Sequence, residues 1–363
     1  MNILIVCAET SANAYGVHLA KAFTNHGHRV FAMAGPQMAM HATPLLTIDP
    51  SQHSVGFWGW SFKRKVLRNM QLVLSNTSTV VDLAIIIDCA GMNEQVAHVL
   101  KRHGCEVSTF ITPNFWLWNQ KKKAKTLLGY SKTVVTIYQK EYEFYKQFSN
   151  ANVRYLGHPL SLDVPPNPRP SNAPCRIGFF PGSRQSEVDA HLPIMAKLVT
   201  WIQTHTTHDC MVVCDCEPLW QQIRTTLTRM KVSVAVVPSM VHPIGYAFSA
   251  PGTNTLRLAL MGVPTTIIGR LSPWVYPIAK IMIGRKIRWV GLPNIIRNRQ
   301  VFQEYIQPND VEQMGTAMCQ TLASESALSD MHQAMQAIRT NIQAPANYYD
   351  QLVGEFLDNS PND

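Results

Sequence analysis

Two strand-to-helix turns in the second half of the chain carry the residues best suited to chemistry. The apolar run Ile177-Gly178-Phe179-Phe180 reads as a strand, and Pro181-Gly182-Ser183-Arg184 follows it before a helix. Glycine at such a place lets the backbone approach an anion, the helix start offers unpaired N–H groups, and Arg184 adds a fixed cationic fork. The second turn, Ser249-Ala250-Pro251-Gly252-Thr253-Asn254-Thr255, again stands between a strand and a helix. Thr253 serves there either as a helix cap or as a hydroxyl ligand for phosphate. Two anion-ready turns in one half favour a diphosphate ligand. The plainer reading is a pair of ordinary connections, one with a surface arginine.

The first half offers less. Ala8-Glu9-Thr10-Ser11-Ala12-Asn13 follows a strand but lacks the G-x-G-x-x-G pattern, which argues against a dinucleotide site. Asp88 ends an apolar strand, where an acid serves either as a general base or as a cap for the following helix. His158, in Gly157-His158-Pro159-Leu160, is the histidine placed to face a cleft between domains. Cys210, Cys214 and Cys216 form the one cysteine cluster. Strand alternation sends the last two to one face, but no second Cys or His pair stands at zinc-ligand spacing, so they read as buried thiols and no metal is expected.

Elements that would hold these residues are legible from hydrophobic runs. Ile3 to Val6, Arg29 to Ala34, Leu83 to Ile87, Val107 to Ile111 and Thr133 to Tyr138 read as strands, with helices at Ala12 to Asn25 and Glu94 to His103. The second half repeats the alternation. Arg176 to Phe180, Met211 to Cys214, Val232 to Val237, Tyr246 to Ser249 and Pro264 to Ile268 read as strands. Helices are expected at Asp189 to His205, Leu219 to Lys231, Thr253 to Met261, and from Val311 to about Leu357. Apolar strands alternating with helices predict an α/β chain of parallel sheets covered on both faces. Pro165, Pro166, Pro168, Pro170 and Pro174 mark a stiff linker. The expected division is 1–163, a linker at 164–174, 175–340, and a helix and tail at 341–363 that pack back on the first domain.

The totals agree with two domains. The chain has 363 residues, is 46% hydrophobic and 15% charged, and carries a net charge of +9, with a pI near 9.2. That balance rules against disorder and favours anionic partners such as nucleotides, phosphorylated sugars or acidic headgroups. The start, Met1-Asn2-Ile3-Leu4-Ile5-Val6-Cys7, reads as a buried strand rather than a secretion signal, and no run is long enough to span a membrane. Scattered cysteines in apolar surroundings suit a reducing cytosol. Two aromatic patches precede lysines: Phe57-Trp58-Gly59-Trp60-Ser61-Phe62 before Lys63-Arg64-Lys65, and Phe115-Trp116-Leu117-Trp118 before Lys121-Lys122-Lys123. The apolar stretch Trp274 to Ile283 precedes Arg285, Lys286 and Arg288. Tryptophan beside lysine fits a membrane-interface contact, a buried strand end being the alternative; no nucleic-acid motif accompanies them, so no nucleic-acid partner is expected.

In order along the chain, Ala8-Glu9-Thr10-Ser11, Gly35-Pro36-Gln37-Met38, Ser54-Val55-Gly56-Phe57 and Ile87-Asp88-Cys89-Ala90-Gly91-Met92-Asn93 resemble the lipid-A-disaccharide synthase family. So do Thr112-Pro113-Asn114-Phe115-Trp116-Leu117-Trp118, Gly157-His158-Pro159, Pro181-Gly182-Ser183-Arg184 with Glu187, Gly252-Thr253, Gly291-Leu292-Pro293-Asn294 and the Gln307 region. The resemblance implies the GT-B fold, two Rossmann-like domains facing across a cleft, the first for acceptor and the second for a UDP-sugar. It implies an inverting glycosyltransferase that moves diacylglucosamine from UDP to the 6-hydroxyl of diacylglucosamine 1-phosphate, releasing UDP. No cofactor or metal is implied. The partners would be the UDP-linked acylated sugar, the phosphorylated glycolipid and the inner-membrane surface, met from the cytoplasmic side through Trp58, Trp60, Trp116, Trp118 and nearby lysines. A homo-oligomer stays open.

Carried over residue by residue, the resemblance gives Asp88 and Arg184 to catalysis. It gives Glu9, Ser11, Asn13, His158, Gly182, Ser183, Glu187, Gly252, Thr253, Asn254, Asn294 and Gln307 to substrate binding. Four acids of the family pattern are absent: Asn13, Gly59, Gly91 and Arg257 stand in their places. Gly91 replaces the usual base and Arg257 the glutamate for the donor ribose, so Asp88, Glu9 or His158 would have to serve as base. The departures leave open a non-catalytic member that binds UDP-sugar or glycolipid. A nucleotide-sugar epimerase on the same fold is a third reading, which leaves the aromatic patches unexplained.

Overall fold

A computed structural model describes residues 1–8, 10–48, 60–76, 80–89, 91–148, 152–164, 176–238, 243–270 and 288–358. Glu9, the side chains of Ser11 and Trp60, Trp58, the proline-rich 165–175 and the apolar stretch from Trp274 lie outside the described residues. The chain divides into two compact units, Met1–Pro159 with Ile342–Asp363, and Leu160–Asn341.

The first unit is a seven-stranded sheet. Its strands are β1 (Asn2–Cys7), β2 (Arg29–Ala34), β3 (Thr43–Thr47), β4 (Leu83–Ile87), β5 (Glu106–Phe110), β6 (Val134–Thr136) and β7 (Val153–Tyr155). Its helices are α1 (Thr10–Asn25), α2 (Trp60–Asn76), α3 (Asn93–Arg102), α4 (Lys121–Tyr130) and α5 (Gln139–Lys146). The order β3-β2-β1-β4-β5-β6-β7 is parallel throughout. β4 is five consecutive buried apolar residues, as a strand covered on both faces must be. The order reverses between β1 and β4, and in such sheets ligands meet the carboxyl edge at the reversal.

The second unit repeats the plan after a short helix, α6 (Leu160–Asp163). Its strands are β8 (Arg176–Phe180), β9 (Asp209–Val213), β10 (Ala235–Val237), β11 (Tyr246–Ser249), β12 (Thr265–Gly269) and β13 (Gln303–Ile306). They run parallel in the order β10-β9-β8-β11-β12-β13, reversing between β8 and β11. Helices α7 (Gln185–His205), α8 (Trp220–Arg229), α9 (Thr253–Met261), α10 (Leu292–Arg297), α11 (Val311–Ala323) and α12 (Glu325–Asn341) cover it. A last helix, α13 (Tyr348–Leu357), belongs to the first unit and packs on α1.

Specific bonds decide where one unit gives way to the other. The His158 N–H donates to the Ile342 carbonyl at 2.9 Å, fastening the returning chain to the first unit. Arg339 donates to the carbonyls of both Val164 and Leu260, so residues up to Val164 are pinned in the second. Tyr348, Leu352 and Phe356 of α13 are fully buried, each contributing roughly 1.5–3 kcal/mol by burial alone. The helical reading from Val311 to Leu357 resolves into α11, α12 and α13. Breaks fall at Ser324, where a helix C-cap is extended, and at the Gln343–Asn347 connection. β9 stops at Val213, so strand alternation does not reach Cys214 and Cys216.

Candidate functional site

Because every strand of the second sheet runs the same way, its carboxyl ends share one edge, and both anion-ready turns lie there. The Ala250 N–H donates to the Phe180 carbonyl at 2.8 Å, which ties the end of β11 to the end of β8. Gly182 has φ +121, and a Cβ on it would stand 2.5 Å from the Glu187 Cβ, so no side chain fits. The backbone thereby turns Ser183 and Arg184 toward one carboxylate. The Ser183 N–H donates to Glu187 Oε2 at 2.9 Å, and Arg184 Nη1 donates to Glu187 Oε1 at 2.8 Å.

This turn therefore already holds an anion, one supplied by its own helix. The Arg184 and Glu187 side chains keep 28% and 21% exposure, and such partly wet pairs are worth ~1 kcal/mol or less. His191 fixes the turn from below. Its Nδ1 bonds the Glu187 carbonyl at 2.7 Å, and its Nε2 accepts the Arg270 N–H at 3.1 Å. Accepting at Nε2 makes it a neutral tautomer with the proton on Nδ1, and burial lowers its pKa accordingly.

At the second turn Gly252, not Thr253, is the N-cap of α9, and no side chain caps the helix. Thr253 is exposed and Asn254 half-buried, while the Thr255 hydroxyl donates to the Gly252 carbonyl at 2.7 Å. Arg257, one turn on, donates to Asp215 Oδ2 at 3.2 Å. Gln307 follows β13 at φ 54, and its N–H donates to the Gly269 carbonyl at 2.8 Å. Asn294, expected to bind substrate, is tied into the fold. It is fully buried, Nδ2 donates to the Phe302 carbonyl and to Glu304, and Oδ1 accepts from the N–H groups of Val301 and Phe302. With all four bonds used, it holds the loop before β13 while Glu304 accepts from Val290 and Gly291.

In the first unit the carboxyl edge gathers Asp88, Thr112, Glu141 and His158. Asp88 has φ 37 and Ile111 φ 61, and the Asp88 N–H donates to the Ile111 carbonyl at 3.3 Å. A β-branched residue in the left-handed region is uncommon, costs roughly 1–3 kcal/mol, and persists where the surroundings over-determine it. The N-cap of α3 is Met92, whose own side chain makes no cap bond. Gly91 offers no acid: Lys63 Nζ donates to its carbonyl at 3.0 Å.

Glu141 was not singled out from sequence. Its carboxylate is buried, takes a short hydrogen bond from the Thr112 hydroxyl, and accepts the N–H of Ile137 at 3.1 Å and of Tyr138 at 3.4 Å. Burial pushes its pKa up to about 7 against the pull of those donors. His158 is buried between the edges of Tyr15 and Tyr138, and desolvation lowers its pKa to about 3. That makes it a neutral packed ring and a weak candidate for a base. Asn13 is buried too, its Oδ1 accepting the Gly35 N–H at 2.8 Å, which locks α1 to the end of β2. Trp116 packs at 5.8 Å from Tyr138 and against the core, so it is less an outward anchor than its neighbour lysines. Lys121, Lys122, Lys123 and Lys125 of α4 are exposed.

With this geometry in place, four similarities to known proteins bear on the site. A family model described as lipid-A-disaccharide synthetase matches residues 3–353. The lipid-A-disaccharide synthase of Trichlorobacter lovleyi is 27% identical over 331 residues, covering 84% of this chain and 83% of that one. Among solved structures, the calicheamicin glycosyltransferase CalG4 superposes with a TM-score of 0.58 at 12% identity, covering 99% of each chain. A UDP-GlcNAc 2-epimerase from Neisseria meningitidis, bound to UDP-GlcNAc, gives 0.59 at 10% identity, covering 98% of this chain and 99% of that. Likeness at these identities fixes the architecture and leaves glycosyltransferase and epimerase equal. The full-length family match separates them.

Proposed function

Because the chain belongs to the lipid-A-disaccharide synthetase family, a family of glycosyltransferases, we propose that it transfers diacylglucosamine from UDP to diacylglucosamine 1-phosphate with inversion. The observation that carries this reading is the Pro181–Arg184 turn, whose Ser183 N–H and Arg184 guanidinium already grip a carboxylate. The donor diphosphate takes the place of Glu187 there. Asp88, at the carboxyl end of β4, accepts the proton of the acceptor 6-hydroxyl. The hydroxyl oxygen bonds the anomeric carbon as the bond to UDP breaks, and the leaving diphosphate keeps the electron pair. Arg184 and the turn N–H groups stabilise that departing charge, a contribution worth about 10²–10³ in rate for one such donor.

Both substrates are acylated, so the reaction runs at the cytoplasmic surface of the inner membrane. No helix of the described residues is long and apolar enough to cross it. Exposed lysines of α4 supply the contact to anionic headgroups. The test is UDP release from UDP-diacylglucosamine with the lipid acceptor: the wild type turns over, and Asp88→Asn loses at least a hundredfold with its fold intact. No product from folded wild type across several acyl lengths overturns the transfer.

One observation favours a second reading. At Gly91 the chain offers a carbonyl bound by an ammonium in place of a carboxylate. A binding-only member would take up UDP and yield no disaccharide, an outcome the same assay separates.

A further inference from the structure

The ion pair of Arg257 and Asp215 has no part in the transfer just described, and its position in the sheet is informative. β8 lies between β9 and β11. Asp215 follows the end of β9, and Arg257 lies on α9, the helix that follows β11. Their contact at 3.2 Å therefore joins the two neighbours of β8 at the edge where the Pro181–Arg184 turn stands. Cys214, the residue before Asp215, is held by two contacts. Trp220 Nε1 donates to the Cys214 carbonyl at 2.7 Å, and the Cys214 thiol donates to the Gly182 carbonyl at 3.9 Å. The residue before the acid thus lies against the anion turn.

Arg257 engages one oxygen of Asp215, and among the described residues Oδ1 has no partner. The carboxylate is 50% exposed, so that oxygen is open to a ligand. In dinucleotide-binding doubly wound sheets an acid beyond the first turn takes the ribose hydroxyl of the nucleotide whose phosphates sit on that turn, which is a precedent for the arrangement here. β8 and β9 are the first and second strands of this sheet, and Asp215 stands just beyond the second.

We propose that Asp215 is the specificity-determining residue for the donor nucleotide, accepting hydrogen bonds from its ribose diol, and that Arg257 is its positioning partner. The proposal rests on the donor reading above and adds where the sugar of the nucleotide is recognised. Asp215 brings a carboxylate to this edge from β9, on the far side of β8 from the helix that carries Arg257. A site built to bond a hydroxyl rejects the analogue that lacks it, because its acceptor is then left unpaired.

The experiment is calorimetric titration of full-length wild type, Asp215→Asn and Arg257→Gln with UDP and with 2′-deoxy-UDP, each variant checked by circular dichroism. Wild type is expected to bind UDP about tenfold more tightly than 2′-deoxy-UDP. Asp215→Asn should bring the ratio to within twofold by weakening UDP alone, and Arg257→Gln should lower it to an intermediate value. Wild type that binds UDP without discriminating, or Asp215→Asn that keeps the full ratio, overturns the assignment and leaves the donor site standing. Wild type that binds neither nucleotide overturns the donor reading, and this assignment with it.

Discussion

Glu141 and His158 are buried a short distance apart in sequence and respond to pH in opposite senses. Glu141 has its pKa raised from 4.5 to about 7 by burial. The folded state then holds a proton that the unfolded state has released, so its contribution is complete below 4.5 and is lost as pH rises through 7. His158 is lowered from 6.5 to about 3, also by burial. Its contribution is present above 6.5 and is lost as pH falls toward 3. Glu141→Gln should therefore flatten the decline in melting temperature between pH 5 and 8, leaving the acid limb in place. Wild type and variant melting curves that run parallel across that range would contradict the assignment. The sequence hid this carboxylate because its cap partner is Tyr138, where a serine or threonine ordinarily signals such a pair. It hid the Asp215–Arg257 contact for a different reason: residues 42 positions apart meet only through the order of the strands. The resemblance gives Asn294 to substrate binding, while in the structure its amide makes four hydrogen bonds within the fold that join residues up to ten positions apart.

At the level of elements, the strands that carry the site were the most readable. β1, β4, β8 and β11 are short apolar runs bounded by turn residues, and each is buried for most of its length. β3 was not foreseen, because Thr43–Thr47 is a half-exposed edge strand with Pro44 and has no apolar period to read. α2 was missed because its first turn is Trp60-Ser61-Phe62 followed by cations, a composition that reads equally as a membrane patch. One helix contact tests the packing behind the anion turn. α7 begins at that turn and packs on α11, and a Cβ on Gly315 would stand 2.2 Å from the Trp201 ring. Trp201 is stacked on His205 at 4.6 Å. Gly315→Ala is therefore expected to lose about 1–3 kcal/mol in urea unfolding through overpacking. An unchanged midpoint and slope would mean the two helices separate without strain.

For the whole molecule, the net charge of +9 is the property that bears on where it works. Lys121, Lys122, Lys123 and Lys125 project from α4, and a lysine near an anionic surface contributes ~1 kcal/mol. Binding to phosphatidylglycerol vesicles should exceed binding to phosphatidylcholine vesicles, fall as sodium chloride is raised, and drop at least tenfold when all four lysines become glutamine. Equal binding to both vesicle types, or indifference to the four substitutions, would remove α4 as the contact.

Donor binding depends on the turn after β8, where Gly182, Ser183 and Arg184 already hold the carboxylate of Glu187. The most direct measurement is calorimetric titration of UDP into wild type and Arg184→Ala. Saturable one-site binding to wild type is expected, with at least tenfold weaker binding to a folded Arg184→Ala, the loss of about 1.5–3 kcal/mol that a charged hydrogen bond carries. UDP that fails to bind wild type, or binds both proteins equally, would contradict the donor reading.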